Sequence, residues 1–167
     1  SELAAYSTAE IHIYPFRRSE IMQHTASVPF PVRFYFWWLS HHANTVWGEI
    51  ILEHLKVGMR NQDWKEVLAF ERGVALSAII AFRNRDQETA NWGFAKSCLF
   101  GTLAVLALRG KIETSYVRIV EQGYNAFPDY DALIKKAEAV RRGEKKINEE
   151  DIFRNLDYLF HLEQKTI

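Results

Sequence analysis

From Asp63 to Phe82 the apolar residues return every three or four positions. Trp64, Val67, Leu68, Ala75, Ala78, Ile79 and Phe82 fall on one stripe, the period of an α-helix with a buried face. Asp63 stands where a cap is wanted, and Phe70, Val74 and Leu76 spread apolar surface to other sides. The pattern therefore predicts a helix buried on several faces. A second helix is expected to start at Asp86 or Thr89, carry Trp92, Ala95, Leu99, Leu103 and Leu106, and stop at Gly110. These two read as the central pair.

Toward the C-terminus the same signals recur. A shorter helix from about Glu113 to Gln122 is expected to stop at Gly123. Asp129, after Pro128, is placed to cap a helix with Leu133, Ile134, Ala137 and Val140 inside and Gly143 at its end. Asn148 precedes Glu149, Glu150 and Asp151, acids that suit the positive end of a helix. Ile152, Phe153, Leu156, Leu159 and Phe160 follow on one expected face. Short connections make these helices antiparallel neighbours.

Before residue 61 the pattern is harder to read. A helix roughly over 43–60 would carry Trp47, Ile50, Ile51 and Leu55. From Val28 to Trp38 every even position is apolar, which is strand alternation, while Phe34, Trp37, Trp38 and His41 fit a helix equally well. Pro15, Pro29 and Pro31 interrupt any continuous element. A strand pair of Ile11–Ile13 with Phe34–Trp38 is the alternative to an irregular stretch followed by one helix. The expectation is an all-α fold. It is a single compact bundle of about six or seven helices over 1–167, with an irregular or partly extended, aromatic-rich segment 1–42 packed on it.

Composition agrees with one domain. The chain has 167 residues, 48% of them apolar, enough for a core. Lys plus Arg equals Asp plus Glu at 21 each, so there is no global positive field to draw nucleic acid or a membrane surface. The single cysteine, Cys98, cannot close an internal disulfide. The longest apolar run, Leu99 to Leu108, is half of a bilayer span. No basic-then-apolar leader opens the sequence. A cytoplasmic chain with no membrane partner is the expectation.

Candidate chemistry is sparse. His41, His42 and His54 with Glu49 and Glu53 are nitrogen and oxygen donors of the kind that bind zinc or iron. No HExxH or paired ExxH pattern orders them, and adjacent helical histidines point about 100° apart. No metal and no cofactor is expected. Glu71 lies on the apolar stripe between Leu68 and Ala75, where a carboxylate must be paired, hydrogen-bonded or protonated. Arg83, Arg85 and Arg109 are its candidate structural partners, and a tuned acid in a pocket is the functional alternative. Cys98 sits in the most apolar helix and reads as packing rather than as a nucleophile. Gly73, Gly93 and Gly101 lie singly within helices, as close approach of helices requires and phosphate loops do not. Lys135, Lys136, Arg141, Arg142, Lys145 and Lys146 form one basic cluster. It lacks interleaved aromatics for stacking on bases, so nucleic-acid binding is not expected. The run Phe34 to Trp38 offers more ring faces than one helix can bury, which leaves either an interface or a wrapped N-terminal segment.

A helical domain without catalytic motifs, with acidic and aromatic residues at helix junctions, resembles the bacterial immunity proteins of contact-dependent inhibition and related polymorphic toxin systems. The resemblance rests on Asp63-Trp64 and on Arg83-Asn84-Arg85-Asp86 through Asn91-Trp92-Gly93. It implies a non-enzymatic protein that binds a cognate toxin domain stoichiometrically. Asp63, Asp86 and Glu88 would then meet a basic toxin surface, with Trp37, Trp38, Trp64 and Trp92 as aromatic anchors. The rival is a small helical ligand-binding protein or enzyme with a pocket around Glu71 and the tryptophans. A nucleic-acid-binding regulator using the lysine-rich helix comes third.

Overall fold

A computed structural model describes residues 16–23, 30–44 and 56–165. These hold seven α-helices: α1 (Arg18–Gln23), α2 (Val32–His42), α3 (Asn61–Arg83), α4 (Gln87–Leu108), α5 (Tyr116–Ala126), α6 (Asp131–Arg141) and α7 (Glu149–Gln164). A 3-10 turn, Pro128–Tyr130, leads into α6. Among the described residues there is no strand, so the fold class is all-α.

The antiparallel pair α3 and α4 is the centre, with α5, α6 and α7 packed against it and α2 lying across α3. Nearly every residue of α4 from Gly93 to Ala107 is buried. By length and composition α4 alone among the described helices could cross a membrane. Yet 72% of that window is buried between other helices, the pattern of a core helix. Gly93 and Gly101 let neighbours come close: a Cβ on Gly101 would run into the Leu159 side chain of α7, and one on Gly93 would stand 3.0 Å from Ala78 of α3.

The ends follow local chemistry. Asp63 is the third helical residue of α3 rather than its cap. Its carboxylate accepts the Arg60 backbone N–H at 2.8 Å and the Arg60 guanidinium at 2.9 Å. The turn into α4 places Arg85 at φ 61°, and Asp86 caps α4 by accepting from Thr89 N–H at 3.1 Å. Asn148 caps α7 reciprocally with Asp151, as its spacing predicts.

Several expectations are corrected. Of the two readings open at 34–38 the helix is the one taken and the strand pairing falls, because a helix sets Phe34, Trp37 and Trp38 along one side against Trp64 and Phe100. The described part of the segment 1–42 is thus mainly helical rather than extended. Ile11–Ile13 lies outside the described residues, as does most of the expected 43–60 helix. The flanks of that helix that are described, 43–44 and 56–60, are not helical. Gly123 does not stop α5. It sits inside that helix, where a Cβ would come within 2.7 Å of Thr102 on α4. Asp129 lies in the 3-10 turn and makes no cap. On α7 the buried face is Ile152, Asn155, Tyr158, Leu159 and Leu162, leaving Phe153 and Phe160 exposed.

Two polar pairs stitch α4 to α7 within this core. Asn155 donates to the Ser97 hydroxyl at 2.8 Å, and Tyr158 shares a 2.9 Å hydrogen bond with Thr102. Buried polar groups of this kind stay stable only when paired.

Candidate groove between α3 and α4

One edge of the central pair is left uncovered by the other described helices. There α3 contributes Ala69, Gly73 and Ser77 at intervals of one turn, and a Cβ on Gly73 would meet nothing within 4 Å. With Phe70 and Val74 these residues form one wall of a solvent-open groove of about 480 Å³, and Thr89, Trp92, Gly93 and Lys96 form the other. Trp92 is 56% exposed, an unusual position for an indole beside so much core. It was expected on the buried stripe of α4, but the fourfold spacing from Trp92 to Lys96 carries it to the outer edge. The Lys96 ammonium lies 4.8 Å from the Trp92 ring centre and 5.0 Å from that of Phe70, a favourable cation–aromatic arrangement. Leu76 and Ile80, 46% and 63% exposed, continue the apolar surface along α3.

Charge is arranged simply at this edge. Trp92 and Lys96, one turn apart, line the α4 side, while Glu88, one turn before Trp92, is exposed and lies outside the groove's lining. Among the described residues, acids are paired with Arg33, Arg60, Arg72, Lys135, Lys136 and Arg142, but none with Lys96. Asp86 is exposed beside Glu88, and its bonds from Thr89 hold its carboxyl below the usual range.

The sequence-derived site residues separate into two groups. Asp86, Glu88 and Trp92 come together at the first turns of α4. Trp37, Asp63 and Trp64 are buried, at 4%, 4% and 2% exposure. Trp37 and Trp64 meet edge to face at 5.1 Å, and Asp63 is held by Arg60, which keeps its carboxyl low. Trp38 is half-buried against Phe100, Tyr116 and His42. The aromatic run is therefore mostly internal packing, because α2 lies over the α3–α4 pair instead of projecting from it. Asn91, in the junction noted above, binds the Gln87 amide and the Ile147 N–H and so anchors the loop before α7.

Glu71 is 1% exposed, and its Oε2 has no hydrogen-bond partner. None of the expected arginines reaches it. Burial pushes its carboxyl up to about 8, opposed only by the positive charge of Lys96. It is not among the residues lining the groove, so the acid and the concavity expected around it are separate features that meet only through Lys96. Cys98 is fully buried, and burial pushes its thiol up. Of the histidines, His41 bonds the Trp37 carbonyl through Nδ1 at 2.8 Å. His42 is shifted down, first by burial and then by His41, against a bond to Thr114. His54, Glu49 and Glu53 lie outside the described residues.

In the basic cluster Lys135 pairs with Asp131, Lys136 with Asp151, and Arg142 with Glu138 and Glu144. Arg141 covers the Tyr116 ring at 3.8 Å. Four of the six cations are thus engaged internally. Compared with known families, curated proteins and solved structures, the chain matches none.

Proposed function

We propose that this chain is a non-enzymatic binding protein that holds a partner protein on its α3–α4 edge. More narrowly, it is an immunity protein that neutralises a cognate bacterial toxin domain in the cytoplasm. The observation that carries the binding reading is Trp92. An indole 56% exposed, at the lip of an open groove, is the kind of side chain that supplies a large share of interface energy once covered. The adjacent acids Asp86 and Glu88 fit a basic partner surface, which charge complementarity favours in association. The narrower reading adds the resemblance in helix-junction character to immunity proteins.

The rival readings draw less support. A ligand pocket around Glu71 calls for a concavity lined by that acid, and the groove runs elsewhere. Nucleic-acid binding calls for free cations, and most of the basic cluster is internally paired. The test is co-expression with a candidate toxin domain taken from the genes flanking this one. The expected result is a stoichiometric complex that survives purification and restores growth to cells making the toxin. A toxin that neither co-purifies with the chain nor loses its toxicity would overturn the immunity reading.

A further inference from the structure

A second exposed face follows the seam between α3 and α7, and none of its residues lines the α3–α4 groove. The two helices pack side by side in opposite directions. Arg72 of α3 meets Glu163 near the end of α7 at 2.6 Å. Arg83, the last residue of α3, shares a shallow hollow with Glu149, the first of α7. Between these ends stand Leu76 and Ile80 of α3, at 46% and 63% exposure, and Phe153 and Phe160 of α7, at 41% and 45%. Large apolar side chains gathered in one patch, rather than scattered singly, mark an interaction surface. The charges at its ends are divided by helix. From 72 to 83 the charged residues of α3 are the cations Arg72 and Arg83, whereas the α7 side of the seam supplies the acids Glu149 and Glu163, with Asp157 exposed between the two phenylalanines. Arg83 and Glu149 have no ion-pair partner among the described residues.

A face with its cations on one helix and its acids on the other is complementary to itself. In a two-fold dimer the same patch serves both copies, and the direction of the axis decides which charges meet. With the axis along the helices, α3 of one copy lies on α7 of the other. Arg83 then faces Glu149 of the second copy and Arg72 faces its Glu163, and their heights match because rotation about that axis leaves positions along the helices unchanged. With the axis across the helices, α3 lies on α3. Arg72 then faces Arg83 and Glu149 faces Glu163, so every corner sets like charges together. Opposite charges at all four corners favour the first arrangement over the second. We propose that the α3–α7 face is the interface of a symmetric homodimer in which α3 of each copy packs on α7 of the other. The apolar side chains form its centre and the charges its rim. Trp92 and the groove stay outside this interface, so the proposal is independent of the toxin-binding reading.

Sedimentation equilibrium of the purified full-length chain, from about 1 µM to about 1 mM, tests this. The expected result for wild type is a mass rising with concentration from one chain to two. Ile80→Asp is expected to weaken association about a hundredfold. Arg83→Glu and Glu149→Arg are each expected to weaken it about tenfold. Mixing those two charge variants should return association to the wild-type level, because in the mixed dimer positions 83 and 149 again face each other with opposite charges. Were α3 packed on α3, Arg83→Glu would meet Arg72 of the second copy and tighten the dimer. Ile80, Arg83 and Glu149 are all exposed, and a circular-dichroism melt of each variant separates lost folding from lost association. A wild-type chain that stays monomeric over the whole range overturns the proposal, as does a dimer that folded Ile80→Asp leaves intact. A dimer tightened by Arg83→Glu, or a mixture that associates no better than its components, overturns the packing of α3 on α7.

Discussion

A carboxyl group with 1% exposure and an unpartnered oxygen can remain in an apolar core by keeping its proton, and Glu71 is in that position. Its folded-state value near 8 exceeds the ordinary 4.5, so the folded protein binds a proton that the unfolded chain releases. The sign follows directly. Glu71 is neutral in both states at low pH, and stability is lost progressively as pH rises from about 4.5 to about 8, then levels off. The slope over that window is at most about 1.4 kcal/mol per pH unit for one proton. Glu71→Gln removes the titration, so wild type and variant should differ little at pH 5, and the variant should be the more stable at pH 9. Urea unfolding at both pH values checks this, and a variant no more stable at pH 9 would contradict it. Subtracting the variant cancels other groups that titrate nearby, His42 among them. The burial of Glu71 was legible in the sequence, since its position between Leu68 and Ala75 lies on a helical stripe. Its lack of a partner was not, because whether an arginine reaches it depends on how α3 is oriented toward α4 and the turn. Asn155 and Tyr158 show the complementary case. They share the spacing of Ile152 and Leu162, but their polar chemistry made Phe153 and Phe160 look like the better core residues.

At the scale of elements, glycines separate packing from propensity. Gly101 and Gly73 both sit inside helices, where alanine gains up to about 1 kcal/mol of helix propensity. A methyl on Gly101 would press into Leu159, which is fully buried and has no room to retreat. Overpacking of that kind costs about 1–3 kcal/mol, so Gly101→Ala is expected to lower stability. Gly73→Ala meets open space and should raise it by about 0.5–1 kcal/mol. Chemical denaturation of the pair checks both signs, and equal shifts in the same direction would contradict the packing difference. Asn148→Ala removes one half of the reciprocal cap of α7 and should cost about 1 kcal/mol in the same measurement. These helices were readable because caps, apolar stripes and a terminating Gly143 or Gly110 agree locally. The failures share one cause. Gly123 and the 34–38 alternation carry two local meanings, and the choice between them is made by the neighbours they touch, Thr102 in one case and Trp64 with Phe100 in the other.

For the whole molecule, the groove exists only once α3 and α4 are paired, since its lining comes from both helices. Sequence pattern placed Trp92 on the stripe of α4 and marked it as an aromatic anchor as well. Only the assembled bundle shows that the indole lies outside the core. The same assembly withdraws Trp37, Trp64 and Asp63 from the surface and leaves Asp86, Glu88 and Trp92 together at one edge. Since Trp92 lies outside the core, its truncation should separate binding from folding more cleanly than any buried residue would. The measurement is the affinity of wild type and Trp92→Ala for the toxin domain by titration calorimetry, with urea unfolding of both proteins alongside. The expected result is a loss of about thirtyfold or more in affinity with an unfolding midpoint close to wild type. A folded Trp92→Ala protein that binds as tightly as wild type would contradict a partner surface on the α3–α4 edge.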